Sequence, residues 1–184
     1  MALEKQLTGG KTGPVWRYAE RSGYAILWLL MDQSLCRIKI RIKDSFIPLI
    51  ETKLGSKSVK NFDEVDTYLK VPVKGRAEKI SESQGKVNYE TVTKEGNHFR
   101  IDIRPLTSKD KAALMRKRSV EVVLNKKCSL YNAVGAQVMI DRIEELGTFI
   151  VIESENAAVA EQVARKLGFD APQYVVYPDD ILKR

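Results

Sequence analysis

Histidine occurs once in this chain and cysteine twice, and each scarcity excludes something. Two thiols, Cys36 and Cys128, make no disulfide framework and are too few for a Cys-rich structural zinc site. His98 is the sole imidazole, so any Ser–His–Asp or Cys–His catalysis would have to use it. Long apolar runs are missing as well. The longest, Tyr24 to Met31, is eight residues, against about 20 for a membrane-spanning helix. The first 23 residues hold no apolar core of secretory length. A reducing, cytoplasmic setting without membrane insertion is therefore the expectation. Repeats and low-complexity segments are also absent.

What is present is a globular composition: 184 residues, 43% hydrophobic and 30% charged, enough for one domain with a buried core. Acidic residues are the minority. Lys plus Arg number 31 against 24 Asp plus Glu, a formal charge of +7 and a pI near 9.3. That excess favours phosphate-rich partners such as nucleotides, polyphosphate or nucleic acid.

Residues 1–32 read as an N-terminal extension, with Gly9, Gly10, Gly13 and Pro14 ahead of the apolar run. The Gly10-Lys11-Thr12 fragment lacks the upstream glycine of a phosphate-binding loop, whose place holds Lys5. From Leu35 to Lys43 the pattern becomes strict alternation, a strand signal. Asp44 or Ser45 is expected to cap a helix that carries Pro48, runs to Leu54 and ends at Gly55. Strands are expected at Glu64–Val71, Lys74–Ser81, Lys86–Thr93 and Asn97–Arg104, with turns at Gln84-Gly85 and Glu95-Gly96. A helix capped by Ser108 follows. Further strands fall at Val120–Asn125, Cys128–Asn132, Ala136–Ile143 and Thr148–Ser154. Ser154 is expected to cap a last helix, Glu155 to Leu167, ended by Gly168, and the tail from Gln173 reads as a short extended piece and a turn of helix. Short connections imply antiparallel pairing, and one-sided strands with amphipathic helices imply a sheet or barrel with helices outside it.

The segment Arg37, Lys39, Arg41, Lys43 places four cations on one strand face and Cys36, Ile38, Ile40 and Ile42 on the other. Two readings stand: a solvated, cationic edge strand, or a phosphate-binding wall. His98, Arg100, Asp102 and Arg104 against Phe99, Ile101 and Ile103 repeat the design, and two such strands face to face would make a basic cleft. Cys128 lies beside Lys126 and Lys127, which would lower its pKa if it were exposed, whereas a buried thiol there would be inert. Tyr68, Tyr89 and Tyr131 read as barrel or core fillers, and Arg116-Lys117-Arg118 as the cationic end of a helix.

Several stretches resemble the CYTH superfamily, the triphosphate tunnel metalloenzymes that include class IV adenylyl cyclases and thiamine triphosphatases. They are Val65-Asp66-Thr67-Tyr68-Leu69-Lys70-Val71-Pro72 with Gly75-Arg76; Ser129-Leu130-Tyr131; and Ile140-Asp141-Arg142-Ile143-Glu144-Glu145-Leu146-Gly147-Thr148-Phe149-Ile150-Val151-Ile152-Glu153. The resemblance spans about residues 33–182, so a CYTH-like domain is expected over 33–184. It implies an α+β fold: an eight-stranded antiparallel tunnel barrel with helices packed outside. It also implies a site in which Arg37, Lys39, Arg41, Arg76, Arg100 and Lys126 hold the phosphates of a nucleotide or inorganic triphosphate. Asp141 and Glu153 would hold Mg²⁺ or Mn²⁺, and the chemistry would be terminal phosphate hydrolysis or cyclisation of ATP.

The chain departs from that pattern at several of these positions. With the family's first-strand lysine placed on Lys39, Leu35 and Arg37 stand where two glutamates belong. The L-K-L-R segment falls on Ala77-Glu78-Lys79-Ile80, the K-x-R pair on Lys126 and Cys128, and the final E-I-E on Val151-Ile152-Glu153. A guanidinium at Arg37 repels a divalent cation and can itself neutralise a phosphate. The alternative is therefore a non-catalytic basic module that binds nucleic acid or a protein partner in a larger assembly.

Overall fold

The computed structural model describes residues 33–55, 58–144 and 146–169. The extension 1–32, with the Gly10-Lys11-Thr12 fragment and the Tyr24–Met31 run, and the tail from Gln173 lie outside the described residues. Eight strands form among those described: β1 (Gln33–Ile42), β2 (Lys60–Leu69), β3 (Arg76–Ser83), β4 (Lys86–Glu95), β5 (His98–Pro105), β6 (Val120–Ala133), β7 (Ala136–Ile143) and β8 (Gly147–Ser154). Every pairing is antiparallel, in the order β1-β5-β4-β3-β2-β6-β7-β8, and β8 pairs back onto β1 to close a barrel. The helices are α1 (Ile47–Leu54), α2 (Ser108–Lys117) and α3 (Ala157–Lys166). The expected α+β barrel with outer helices is the observed one.

Local departures from expectation have physical causes. Val120–Asn125 and Cys128–Asn132 are one 14-residue strand, because the polar break at Lys126 finds partners inside the barrel instead of forming a turn. Asp44 and Ser45 lie in a 3-10 turn before α1, which has no side-chain cap; Gly55 closes that helix at φ 70°, a left-handed conformation cheap only for glycine. Thr107, not Ser108, caps α2 by accepting from the Asp110 amide. Asn156, not Ser154, caps α3. Ser154 instead donates to the Gly135 carbonyl and accepts from the Asn156 amide.

Alternation gives the barrel two unlike faces. Outward, Ile38, Ile40 and Ile42 of β1, Val138 and Ile140 of β7, and Ile150 and Ile152 of β8 pack under Ile50 of α1 and Ala160, Val163, Ala164 and Leu167 of α3. The main apolar core thus lies between the wall and the helices. Inward, the register aligns Arg37 with Glu153, Phe149 with Asp141, Lys126 with Glu64, Tyr68 with Lys79, and Lys79 with Glu90. The interior is ionic.

Ile150 is fully buried in the outer core. Ile150→Ala should therefore cost about 2–5 kcal/mol in urea unfolding; a cost below about 1 kcal/mol would show that α3 does not seal this face.

Candidate functional site

The inner-facing charged side chains form a belt in which sign alternates. Arg37 reaches Glu90 at 3.2 Å and Glu153 at 2.5 Å. Glu90 is 3.1 Å from Lys79, which sits 2.9 Å from both Asp66 oxygens. Asp66 is 2.8 Å from Lys126. Lys126 also pairs with Glu64 and lies 3.8 Å from Asp141, and Asp141 is 3.2 Å from Lys39, one inward position along β1 from Arg37. The belt so defined holds four cations and five carboxylates. Each cation has a carboxylate within 3.2 Å.

On one side of the belt the interior is plugged. Tyr68, Ala77, Leu124, Ile143 and Phe149 pack together with Val92 and Val122, each beyond the belt in the same axial direction by the strand registers. Lys39 and Arg41 stand 5.3 and 5.2 Å from the Phe149 ring centre, at cation–π range. Exposure rises towards the opposite end. The side chains of Asp66 and Lys79 are 0% and 2% accessible, those of Arg37 and Glu64 13% and 15%. The more accessible side chains of the belt thus lie towards the end where β1 begins and β8 finishes.

The electrostatics follow from burial and from this pairing. Burial raises Asp66, but Lys126 and Lys79 outweigh it and hold the carboxyl far below the usual range. Glu90 and Asp141 are lowered in the same way, by Lys79 with Arg37 and by Lys126 with Lys39. Burial wins at Glu64, which is raised. Lys79 and Lys126 are raised by their carboxylates in spite of burial. Lys39 is the exception: burial pulls it down to about 7, Asp141 opposes, and Lys126, Arg37 and Lys79 add to the fall. Burial, then Asp141, pushes the Cys128 thiol up. Cys128 is the inert buried thiol, not an activated one.

The expected site residues divide between the two faces. Arg37, Lys39, Lys126, Asp141 and Glu153 join the belt, and Arg41 lies on the same face beside Phe149. Arg76 and Arg100 point outward. Arg76 binds Glu78 at 3.0 Å, while Arg100 lies near Ser34 and Asp102. The two cationic strand faces therefore share no cleft. β1 pairs with β5 so that Arg37 stands opposite Phe99, which sends the Arg100 face to the other side of the wall. His98 is also outward, 3.8 Å from Glu95. Lys79, Glu64, Asp66 and Glu90 were not expected in the site; period-two spacing of Glu64, Asp66 and Tyr68 was the available signal.

The carboxylates do not fit a resident divalent ion. Asp141 pairs with Phe149, four residues from Glu153 on β8, a separation of about 13 Å along the strands. Glu153 is taken by Arg37, and Asp66 by two lysines. Asp141 Oδ1 is buried without a hydrogen-bond partner, but one oxygen makes no coordination shell. Among the described residues no group of three or more His, Cys, Asp or Glu is placed to hold a metal.

No protein-family model matches the sequence, and no curated protein matches it. Solved structures do match. A candidate adenylate cyclase from Vibrio parahaemolyticus superposes with TM-score 0.63 at 16% identity, covering 84% of this chain and 100% of its own. A candidate adenylyl cyclase from Hippeastrum with a dominant triphosphatase activity gives TM-score 0.54 at 11% identity over 83% and 95%. The fold is that of the CYTH-type barrels. A chain of the Schizosaccharomyces pombe Mediator head module matches this CYTH-type barrel as well, with TM-score 0.57 at 10% identity over 78% and 99%. Among the described residues no helix is long and apolar enough to cross a membrane.

Two outcomes test the belt. Lys79→Met strips both Asp66 and Glu90 of a partner and should destabilise by about 3–5 kcal/mol, more than Lys39→Met, which takes a partner from Asp141 alone and whose pKa burial already pulls down. Equal losses would contradict the assignment. Asp66, Glu90 and Asp141 are lowered in the fold, so their stabilisation is present above the unfolded carboxylate range near pH 4 and is lost as pH falls; Glu64, being raised, works the other way. Thermal unfolding should show Tm dropping below about pH 4, with a shallower drop in Asp66→Asn; an unchanged slope would contradict it.

Proposed function

We propose that this chain is a non-catalytic binding module built on the CYTH-type barrel, recognising an anionic partner with its outer surface. One observation carries the reading: the interior cations are already neutralised. A triphosphate carries about four negative charges and would meet five carboxylates already paired with the same cations. The belt's four cations and five carboxylates sum to −1, so a net +7 leaves the rest of the chain with a formal +8. A nucleic acid is the partner that matches such an excess by charge alone, and the Mediator likeness supports use of this barrel within an assembly.

A second reading keeps nucleotide or inorganic triphosphate as an interior ligand. It is favoured by the inward aim of Arg37, Lys39, Lys79 and Lys126, because buried ion pairs add little stability over apolar filling and call for another explanation. Binding would then proceed by exchange, phosphate oxygens replacing carboxylates on the same cations. The fit with Mg²⁺ or Mn²⁺ chemistry remains poor for the reasons given.

Assays with tripolyphosphate and ATP separate the two. The first reading predicts no turnover with or without Mg²⁺ or Mn²⁺, no calorimetric binding of tripolyphosphate, and binding of RNA or DNA that weakens steeply as salt rises. Metal-dependent turnover that is lost in Asp141→Ala would overturn it in favour of the second.

A further inference from the structure

Seven cations that the interior does not use converge on the outside of the barrel at its plugged end. The loop from β2 to β3 carries Lys70, Lys74 and Arg76, and the end of α2 carries Arg116, Lys117 and Arg118. Two backbone bonds of 2.9 Å hold that loop in place: the Lys70 amide donates to the Ser119 carbonyl, and the Lys94 amide to the Gly75 carbonyl. Lys94, at the end of β4, is thereby brought to the same surface. Glu78, only 4% exposed, then ties two elements together by accepting from Arg76 at 3.0 Å and from Arg118. Both arginine side chains stay accessible, at 43% and 35%, and the four lysines and Arg116 are exposed.

Two ordinary explanations fall short. Lysines guard the edge of an open sheet, but this barrel is closed and has no edge. Cations favour the C-terminal end of a helix, which accounts for the α2 run and leaves out Lys70, Lys74, Arg76 and Lys94. Counted with the neighbouring acids Glu78, Glu95 and Glu121, the surface carries a formal +4, half of the +8 found outside the belt. The aromatic ring beside it, Tyr89, is closed to bases, because its hydroxyl donates to Glu78 at 2.5 Å and the Arg104 guanidinium covers one face at 4.6 Å. We infer that this surface grips the phosphates of a nucleic-acid duplex by charge, without stacking on bases. The inference rests on the outer-surface reading above and gives that surface its place and its ligand.

The test is fluorescence anisotropy of the full chain with labelled DNA and RNA duplexes of about 20 base pairs, and with their single strands. Lys74→Glu/Lys94→Glu/Lys117→Glu should weaken duplex binding at least about tenfold and flatten the log–log salt slope by about 3, with Tm unchanged. Lys60→Glu/Lys127→Glu/Lys166→Glu makes the same charge change on exposed residues of β2, β6 and α3 and should lose less than about threefold. The duplex should bind more tightly than its single strand, and polyglutamate should not displace it. Should the first triple variant unfold, Lys74→Ala/Lys117→Ala is read in the same way, with a slope change of about 2. Equal losses in the two triple variants, tighter binding of single strands, or displacement by polyglutamate (the mark of an acidic protein partner) would each overturn the inference and leave the outer-surface reading standing. Absence of any nucleic-acid binding by the native chain would overturn both.

Discussion

Charges can be buried in numbers inside a closed barrel only where each meets its opposite at hydrogen-bond distance. That constraint organises the molecule. Arg37, Glu90, Lys79, Asp66, Lys126, Asp141 and Lys39 follow one another with alternating sign, each contributed by the inward set of a strand. Because side chains alternate at period two, a slip of one residue on β1 would exchange Arg37 and Lys39 for Cys36, Ile38 or Ile40. The belt therefore fixes register while adding little net stability.

Stability comes from the other side of the wall. The isoleucines that alternate with the β1 cations have their burial outside, beneath α1 and α3. The barrel is held from without by apolar packing and filled from within by ion pairs and, towards one end, by the plug around Phe149 and Tyr68. Within the belt, four cations against five carboxylates leave no surplus positive charge for an incoming anion. The barrel's fold is shared with candidate cyclases and with a chain of the Mediator head module; the contents of its interior are its own.

Much of this architecture was legible in the sequence. The alternation from Leu35 to Lys43 declares a two-faced strand, Gly55 and Gly168 mark helix ends, and the short turns declare antiparallel pairing. What alternation cannot declare is which face turns inward. For β1 the cations go in; for β5 the Phe99–Ile101 face goes in and Arg100 goes out, a choice made by pairing with β1. Lys79 and Glu90 were missed for a related reason. Each is unremarkable on its own strand and acquires a role only when β3 and β4 are laid side by side. The Lys126 region looked like a turn because polar residues interrupt it, while the partners that satisfy them lie about 60 residues earlier in the chain.

The central claim is that the interior cations are neutralised by the chain's own carboxylates. It is tested most directly by a crystal structure grown with tripolyphosphate and MnCl₂, with anomalous data collected at the manganese edge. The account predicts no anomalous peak inside the barrel, with Arg37 still bridging Glu90 and Glu153 and Lys79 still on Asp66. A manganese peak among those carboxylates, with phosphate density on the lysines, would contradict it.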